Sequence, residues 1–335
     1  MSAPTLSIDE VQSAVGRLAG ARDLKVINYL DEHAQRWLMS TQIIFLSQVD
    51  GQSIDLTLAM PTKDTFQVVD QSHIAIAHQI MDEPHILKDN SGFSLLCLVP
   101  GMNETLRING SVQTVADDTV TLEVQECYLH CGKALIRSDF WSNESQPALG
   151  EPADLASQSR FLALATSDKQ SHADISPKGD PADSLAYLDA NGIFWIPDRP
   201  GNRRIDSFRN MIERPDVALI ALDPGNTQVL KIIGQAAPDD NLQAREMFAV
   251  EGKTPHLVTR IEPTTIKILH SKTLANTNLW QNASNTPPFD APEIFKTHVK
   301  LSKERGIGAT MARAAVSVPG MMSRGLKSDY EKNLY

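Results

Sequence analysis

IPDRPGNRRIDSFRN, residues 196 to 210, is the stretch on which the reading of this chain turns. A β-rich run, Gly192 to Ile196, stops at Pro197, and Pro200 and Gly201 make a tight turn. The loop then carries Asn202, Arg203 and Arg204, with Arg199 just before it. From Ile205 a helical pattern begins: Asp206 and Ser207 suit a first turn, and Ile205, Phe208, Met211 and Ile212 share a face. Two arginines therefore stand where a helix starts, beside its unpaired N–H groups and the positive end of its dipole. Planar, permanently charged guanidinium groups match phosphate oxygens. The pattern suits a cradle for a phosphate monoester, with a surface loop of solvated arginines as the plainer alternative.

On both sides of this loop the texture is β-like. Short apolar runs at 43–49, 54–59, 74–77, 93–99, 105–110, 120–124 and 128–136 are separated by Pro, Gly, Asp and Asn, the rhythm of an antiparallel barrel or sandwich. The same texture restarts at 161–166, 173–175, 192–196, 217–222, 229–234 and 257–269. Between the two sets, residues 142–156 are polar with Pro and Gly, and read as a linker. Residues 1–40 read as two helices, one starting at Ser7, Asp9 and Glu10 and one over 26–38. Residues 282–335 read as a helical, partly basic tail docked on the surface. The expected organisation is N-terminal helices (1–40), a first β unit (41–141), the linker, a second β unit (157–281) and the tail.

Composition sets outer limits. The 335 residues carry 31 basic and 41 acidic side chains, a net charge of −10. That disfavours general binding to nucleic acid or anionic membrane, both of which need clustered positive charge. Three cysteines, Cys97, Cys127 and Cys131, cannot build a disulfide framework, and with no signal-peptide pattern at the start a reducing cytoplasm is expected. No apolar stretch approaches the roughly 20 residues that span a bilayer.

The two β-rich halves resemble each other. PGMNETLRING (100–110) aligns without gaps on PGNTQVLKIIG (224–234), which puts Arg107 on Lys231 and ends both segments on Gly. HCGKALIRSDFW (130–141) aligns on LHSKTLANTNLW (269–280), and QVDGQS (48–53) on TSDKQS (166–171). Three anchors in the same order predict a tandem repeat. Their decay is reciprocal. The second half keeps ADISPKGDP and IPDRPGNRR, where the first half has no arginine; the first half keeps Lys133 and Arg137, where Asn276 replaces the arginine. One composite site, built from the early part of one half and the late part of the other, accounts for that pattern. If the 128–136 run is a strand, Lys133 and Arg137 lie on one face of it.

These motifs, SPxGDP, PDRPGNRR, PGxxETLRxNG and LHCxKAxxRSxLW (with Phe140 for the Leu), resemble the pyridoxamine 5′-phosphate oxidase-like, FMN-binding split-barrel superfamily over most of residues 25–281. The resemblance implies a mainly β (α+β) fold: two tandem antiparallel split β-barrels with N-terminal and C-terminal helices, fused into an intramolecular pseudodimer that could pair further. In that superfamily the unit is a homodimer of six-stranded barrels with FMN in the interface. Carried over by motif, the FMN phosphate would meet Asn202, Arg203 and Arg204, with Arg199 shaping the loop. Ser176 and Lys178 would line the ring edge, and Gln228 would pass beside it. Lys133, Arg137 and Trp141 would reach across from the first half. The implied function is an FMN-dependent oxidoreductase acting on a small-molecule substrate or an electron donor such as NAD(P)H. The alternatives are the same fold holding a deazaflavin or haem, with His130 or His270 as axial ligand, and a flavin-binding sensor or carrier without turnover. At the reciprocal place Asp82 and Glu83, in the 78–85 region, would repel a phosphate, so one flavin per chain is expected.

Plainer readings apply elsewhere. Cys127, His130 and Cys131 lack the second cluster that a structural zinc site needs and read as packing residues, so no metal is expected. Trp195 reads as core. No Ser-His-Asp arrangement and no GxGxxG or P-loop pattern is present.

Overall fold

The computed structural model describes residues 6–16, 24–51, 53–84, 86–142, 144, 146–201, 203–283, 286–303, 305–318 and 320–335. After helices α1 (Ile8–Val15) and α2 (Glu32–Ser40) the first half runs β1 (Ile43–Asp50), β2 (Ser53–Ala59), β3 (Phe66–Val68), β4 (His73–Ala77), β5 (Gly92–Leu98), β6 (Thr105–Val115), β7 (Thr119–His130) and helix α3 (Lys133–Arg137). Helix α4 (Pro152–Gln158) leads into the second half: β8 (Phe161–Ser167), β9 (Ala173–Gly179), β10 (Tyr187–Leu188), β11 (Phe194–Pro197), α5 (Asp206–Glu213), β12 (Asp216–Leu222), β13 (Gln228–Asp239), α6 (Leu242–Glu246), β14 (Val258–His270) and α7 (Lys272–Thr277). Helices α8 (Ala291–Leu301), α9 (Ile307–Ser317) and α10 (Met321–Lys332) follow. The fold is mainly β with α+β character.

Each half is one seven-stranded sheet, antiparallel at every pairing, in the orders β2-β1-β5-β6-β7-β4-β3 and β9-β8-β12-β13-β14-β11-β10. Counted along the chain, the two orders are the same. The seventh strand in each, β3 and β10, has three and two residues, too few for an alternation to show in sequence. The aligned glycines share a local geometry as well. Ladder register slips at Asn109/Gly110 and at Ile233/Gly234. A Cβ on Gly110 would lie 1.9 Å from the Glu123 carbonyl oxygen, and on Gly234 2.3 Å from that of Glu262, so both bulges exclude any side chain.

Strands β1, β5, β8 and β12 explain the most apolar runs in the chain, because both of their faces are buried. Ile44, Leu46, Leu95 and Cys97 point into the first half's core, and Leu162, Leu164, Val217 and Leu219 into the second's. The alternate residues, Ile43, Phe45, Leu96, Leu98, Phe161, Ala163, Ala218 and Ile220, meet in a third core between the halves. Phe140 anchors it, edge-on to Phe161 at 4.8 Å. Here β2 lies against β12 and β5 against β9, a reciprocal arrangement about a pseudo-twofold axis.

The terminal helices cross over. Val11 of α1 packs into the second half's core, whereas Ala291, Ile294 and Phe295 of α8 pack with α2 into the first's. Asp31, which caps α2 through the Ala34 N–H at 2.8 Å, also meets His298 of α8 at 3.3 Å.

Three local expectations change. The expected strand over 128–136 ends at His130, and Lys133–Arg137 is a short helix. The second helix starts at Glu32, after its Asp31 cap, and not near Val26. The segment read as a linker ends in α4, and it is pinned: Gln146 N–H donates to Asp223 at 2.9 Å, and the Arg160 guanidinium donates to the Ser138 and Glu144 carbonyls. No helix among the described residues is long and apolar enough to cross a membrane.

Candidate functional site

A cleft of about 780 Å³ opens between the halves. Its floor is the end of β9, where Ser176 and Lys178 face in. One wall is α3. A Cβ on Gly179 would lie 1.9 Å from the Ala134 carbonyl oxygen, so only glycine lets β9 come this close to α3. That contact fixes first-half residues over a second-half strand. Lys133 and Arg137 are one helical turn apart on α3 and both line the cleft. Their shared face thus survives the change from strand to helix.

The opposite wall is the 197–204 loop and the start of α5. Ile205 occupies the cap position of α5 and supplies no side-chain cap, so no side chain of the cap residue covers the helix's first N–H groups. Arg203 holds φ at 62°, in the left-handed region, and its side chain lies against Gly16, the residue that caps the C-terminus of α1. α1 has no basic residue in its own last turn, so Arg203 supplies a positive group at that carbonyl end from another element. Arg204 donates to Asp206 at 2.5 Å and stacks 5.2 Å over the Tyr128 ring of the first half. Arg199 is buried in an ion pair with Asp180 at 2.7 Å, and Arg137 reaches across to donate to the Pro200 carbonyl.

The lining holds eight lysines and arginines against five aspartates, an excess of positive charge in a chain whose net charge is −10. Clefts of one sign with low-dielectric walls focus the field on an oppositely charged ligand. Burial sets the titration of several groups. It pushes the Lys178 ammonium down, against the pull of Asp198, and pushes the Asp198 and Asp180 carboxyls up, against Lys178 and Arg199 respectively. Burial, with Arg107 and Lys25 nearby, also holds His130 well below its ordinary value, so its imidazole is neutral.

Of the residues the sequence singled out, Ser176, Lys178, Arg199, Arg203, Arg204, Lys133 and Arg137 come together in this cleft. Asn202 lies outside the described residues. Two others are elsewhere. Gln228 is turned to the linker, where its amide takes the Leu149 N–H at 2.9 Å and donates to the Leu149 carbonyl at 2.6 Å. Trp141 donates to the Met102 carbonyl at 2.6 Å and packs edge-on against Phe140. Trp195 is partly buried against Phe248 and Val258, outside the cleft.

The sequence reading missed Arg107, which enters from β6, pairs with Asp174 of β9 and donates to the Tyr128 hydroxyl at 2.7 Å. A lone arginine in an apolar strand, aligned on Lys231, was the available signal. It missed also the tail: Asp329, Asn333 and Tyr335 line the cleft. Nothing in a run of mixed charge points to where it docks.

At the reciprocal place the equivalent groups are already paired. Lys231 binds Asp55 at 2.6 Å and Glu83, as Arg107 binds Asp174. Asp55 and Asp174 hold matching register positions, opposite Gln48 and Thr166. Asp82 accepts from the Ser271 hydroxyl at 2.5 Å, the Thr273 N–H at 2.9 Å and the Thr273 hydroxyl at 3.0 Å, at the start of α7. An internal carboxylate thus sits where an anion would.

No family profile matches the chain, and no curated protein does. Solved structures with similarity include HupZ of Group A Streptococcus, at 18% identity over 37% of this chain and 96% of that one, TM-score 0.30. An F420 reductase is similar at 16% identity over 36% of this chain and 98% of that one, TM-score 0.27. A pyridoxamine 5′-phosphate oxidase-related, FMN binding protein of Nostoc punctiforme is similar at 12% identity over 33% of this chain and 75% of that one, TM-score 0.24.

Proposed function

We propose that this protein is an FMN-binding flavoprotein, an oxidoreductase with one composite flavin site between its halves, arisen by tandem duplication. The observation that carries the reading is the cleft itself. Arg203 and Arg204 stand at the uncapped start of α5, and face Lys133 and Arg137 from the other half across a space in the range of small-molecule sites. The phosphate would be held by the α5 N–H groups with Arg203 and Arg204. Ser176, Lys178 and the close-packed β9 backbone at Gly179 would border the rings. A flavin supplies the redox chemistry when bound; the protein's part is to bind, orient and exclude water. The cytoplasm is the compartment proposed, on the cysteine usage.

The test is the flavin content and visible spectrum of the purified chain, beside the Arg203→Ala/Arg204→Ala double variant. The expected result is a flavin spectrum that the variant loses while its circular dichroism is unchanged. Each charge-assisted hydrogen bond lost is worth about 1.5–3 kcal/mol, together roughly two to four decades of affinity. Unchanged flavin in the double variant would sink the assignment. His130 lines the cleft as a neutral imidazole, which favours haem as the second reading, and an intense Soret band would select it.

A further inference from the structure

The end of the chain behaves as a ligand of the cleft. Tyr330 is its latch: the hydroxyl donates to buried Glu104 at 2.8 Å and accepts from the Gly132 N–H at 3.1 Å, at the foot of α3. On both sides of the latch the tail engages the cleft's cations. Lys133 binds the Asp329 carboxylate at 3.1 Å and donates to the Asn333 carbonyl at 2.8 Å. Arg137 donates to the Leu334 carbonyl at 2.7 Å. The Tyr335 ring lies 5.5 Å from each of the Arg137 and Arg199 guanidinium groups, its backbone oxygen accepts from Lys253 at 3.2 Å, and its phenol faces Asp180.

These are recognition contacts, made by a segment with no part in any core of the two halves. A flat ring between two guanidinium groups is held by its π face. Carbonyl and carboxylate oxygens on Lys133, Arg137 and Lys253 are what an anion or a ring carbonyl would offer. We infer that residues 329–335 are a displaceable self-ligand of the cleft, and that they yield to a ligand with a flat phenolic or heteroaromatic ring bearing an anionic or carbonyl oxygen. This deepens the proposed function by naming the chemistry and the regulation of the Lys133–Arg137 end. It rests on that reading only in requiring that the cleft bind a ligand.

The experiment uses the full chain and 4-hydroxybenzoate as probe. Two variants leave α3 and the 197–204 loop unsubstituted: Tyr335→Ala removes the ring, and Tyr330→Phe removes the latch. The apparent Kd is the intrinsic Kd divided by the fraction of molecules with the cleft open, so weakening the closed state tightens the probe. Both variants should bind it about tenfold more tightly than the unsubstituted chain. Saturation of the unsubstituted chain should speed hydrogen exchange at residues 329–335 by at least about tenfold. Equal affinity in all three chains, no binding to any of them, or exchange unchanged at saturation would each overturn the inference. FMN content of the same preparations judges the flavin reading separately. A Tyr335→Ala chain that gains probe affinity yet holds no FMN keeps the self-ligand and removes the flavin.

Discussion

Arg203 pairs a strained backbone with an exposed charge, and the two can be separated by substitution. A non-glycine residue in the left-handed region costs about 1–2 kcal/mol, and glycine there relieves it but adds about 0.5–1 kcal/mol of unfolded-state entropy. Arg203→Gly should therefore leave the urea midpoint nearly unchanged while FMN affinity falls by about tenfold or more; a large change in stability with affinity intact would reverse the roles assigned here. Arg107 is the opposite case. Its side chain is 3% exposed, and its charge is balanced by Asp174. Asp174→Asn removes that balance and should cost about 3–5 kcal/mol, read as a lower urea midpoint, because an uncompensated buried charge is left behind. At this scale the sequence was informative where residue type and spacing decide, as with Lys133 and Arg137, whose four-residue separation shares a face in either structure. It misled for Gln228, because a strand position fixes which face a side chain leaves from but not what packs there.

Among the elements, α3 was the hardest to read. Five residues are too few for a 3.6-residue period to stand apart from a β-like run, and YLHCGKALIR holds the end of a strand, a turn and a helix in succession. Its position depends on Gly179. Gly179→Ala should push α3 off β9, at about 1–3 kcal/mol in the unfolding free energy, and lower ligand affinity with it. Helix α2 offers a test by pH. Burial alone would raise the Asp31 carboxyl, but hydrogen bonds from His298 and the Ala34 N–H outweigh it and hold it below its ordinary 3.8. A depressed carboxyl stabilises the fold above the ordinary value, and that contribution is lost as the pH falls through the depressed one. Asp31→Asn keeps a capping side chain but no charge. Its thermal midpoint should lie below that of the unsubstituted chain near neutral pH, and the two should converge in acid. Parallel curves down to the lowest pH would show that the carboxylate's charge is not what matters.

For the whole molecule, the decisive quantity is flavin per chain. Asp82 and Glu83 already satisfy the start of α7 and Lys231, so a second flavin would have to displace two internal carboxylates. One flavin per chain is expected from denaturing release; a ratio near two would contradict the asymmetry described above. The alternating strand texture and the three repeat anchors made the two-sheet architecture readable, because period-two burial and bulge glycines leave marks in sequence. The docking of the tail in the cleft left none, since no local pattern encodes a contact between Tyr335 and Arg199. The crossed terminal helices have a consequence for the chain as it is made. The first half's core needs Ile294 and Phe295, which emerge from the ribosome about 165 residues after the end of that half's last strand, a delay of roughly 10–30 s at ordinary elongation rates. During that interval the face awaiting α8, and the apolar sides of β1 and β5 that await the second half, are uncovered. A nascent chain arrested near residue 160 should bind a hydrophobic dye or a chaperone, and one arrested well past the tail should not. The order in which the ribosome delivers the two halves thus makes the second half, and the helices after it, the intramolecular escort of the first.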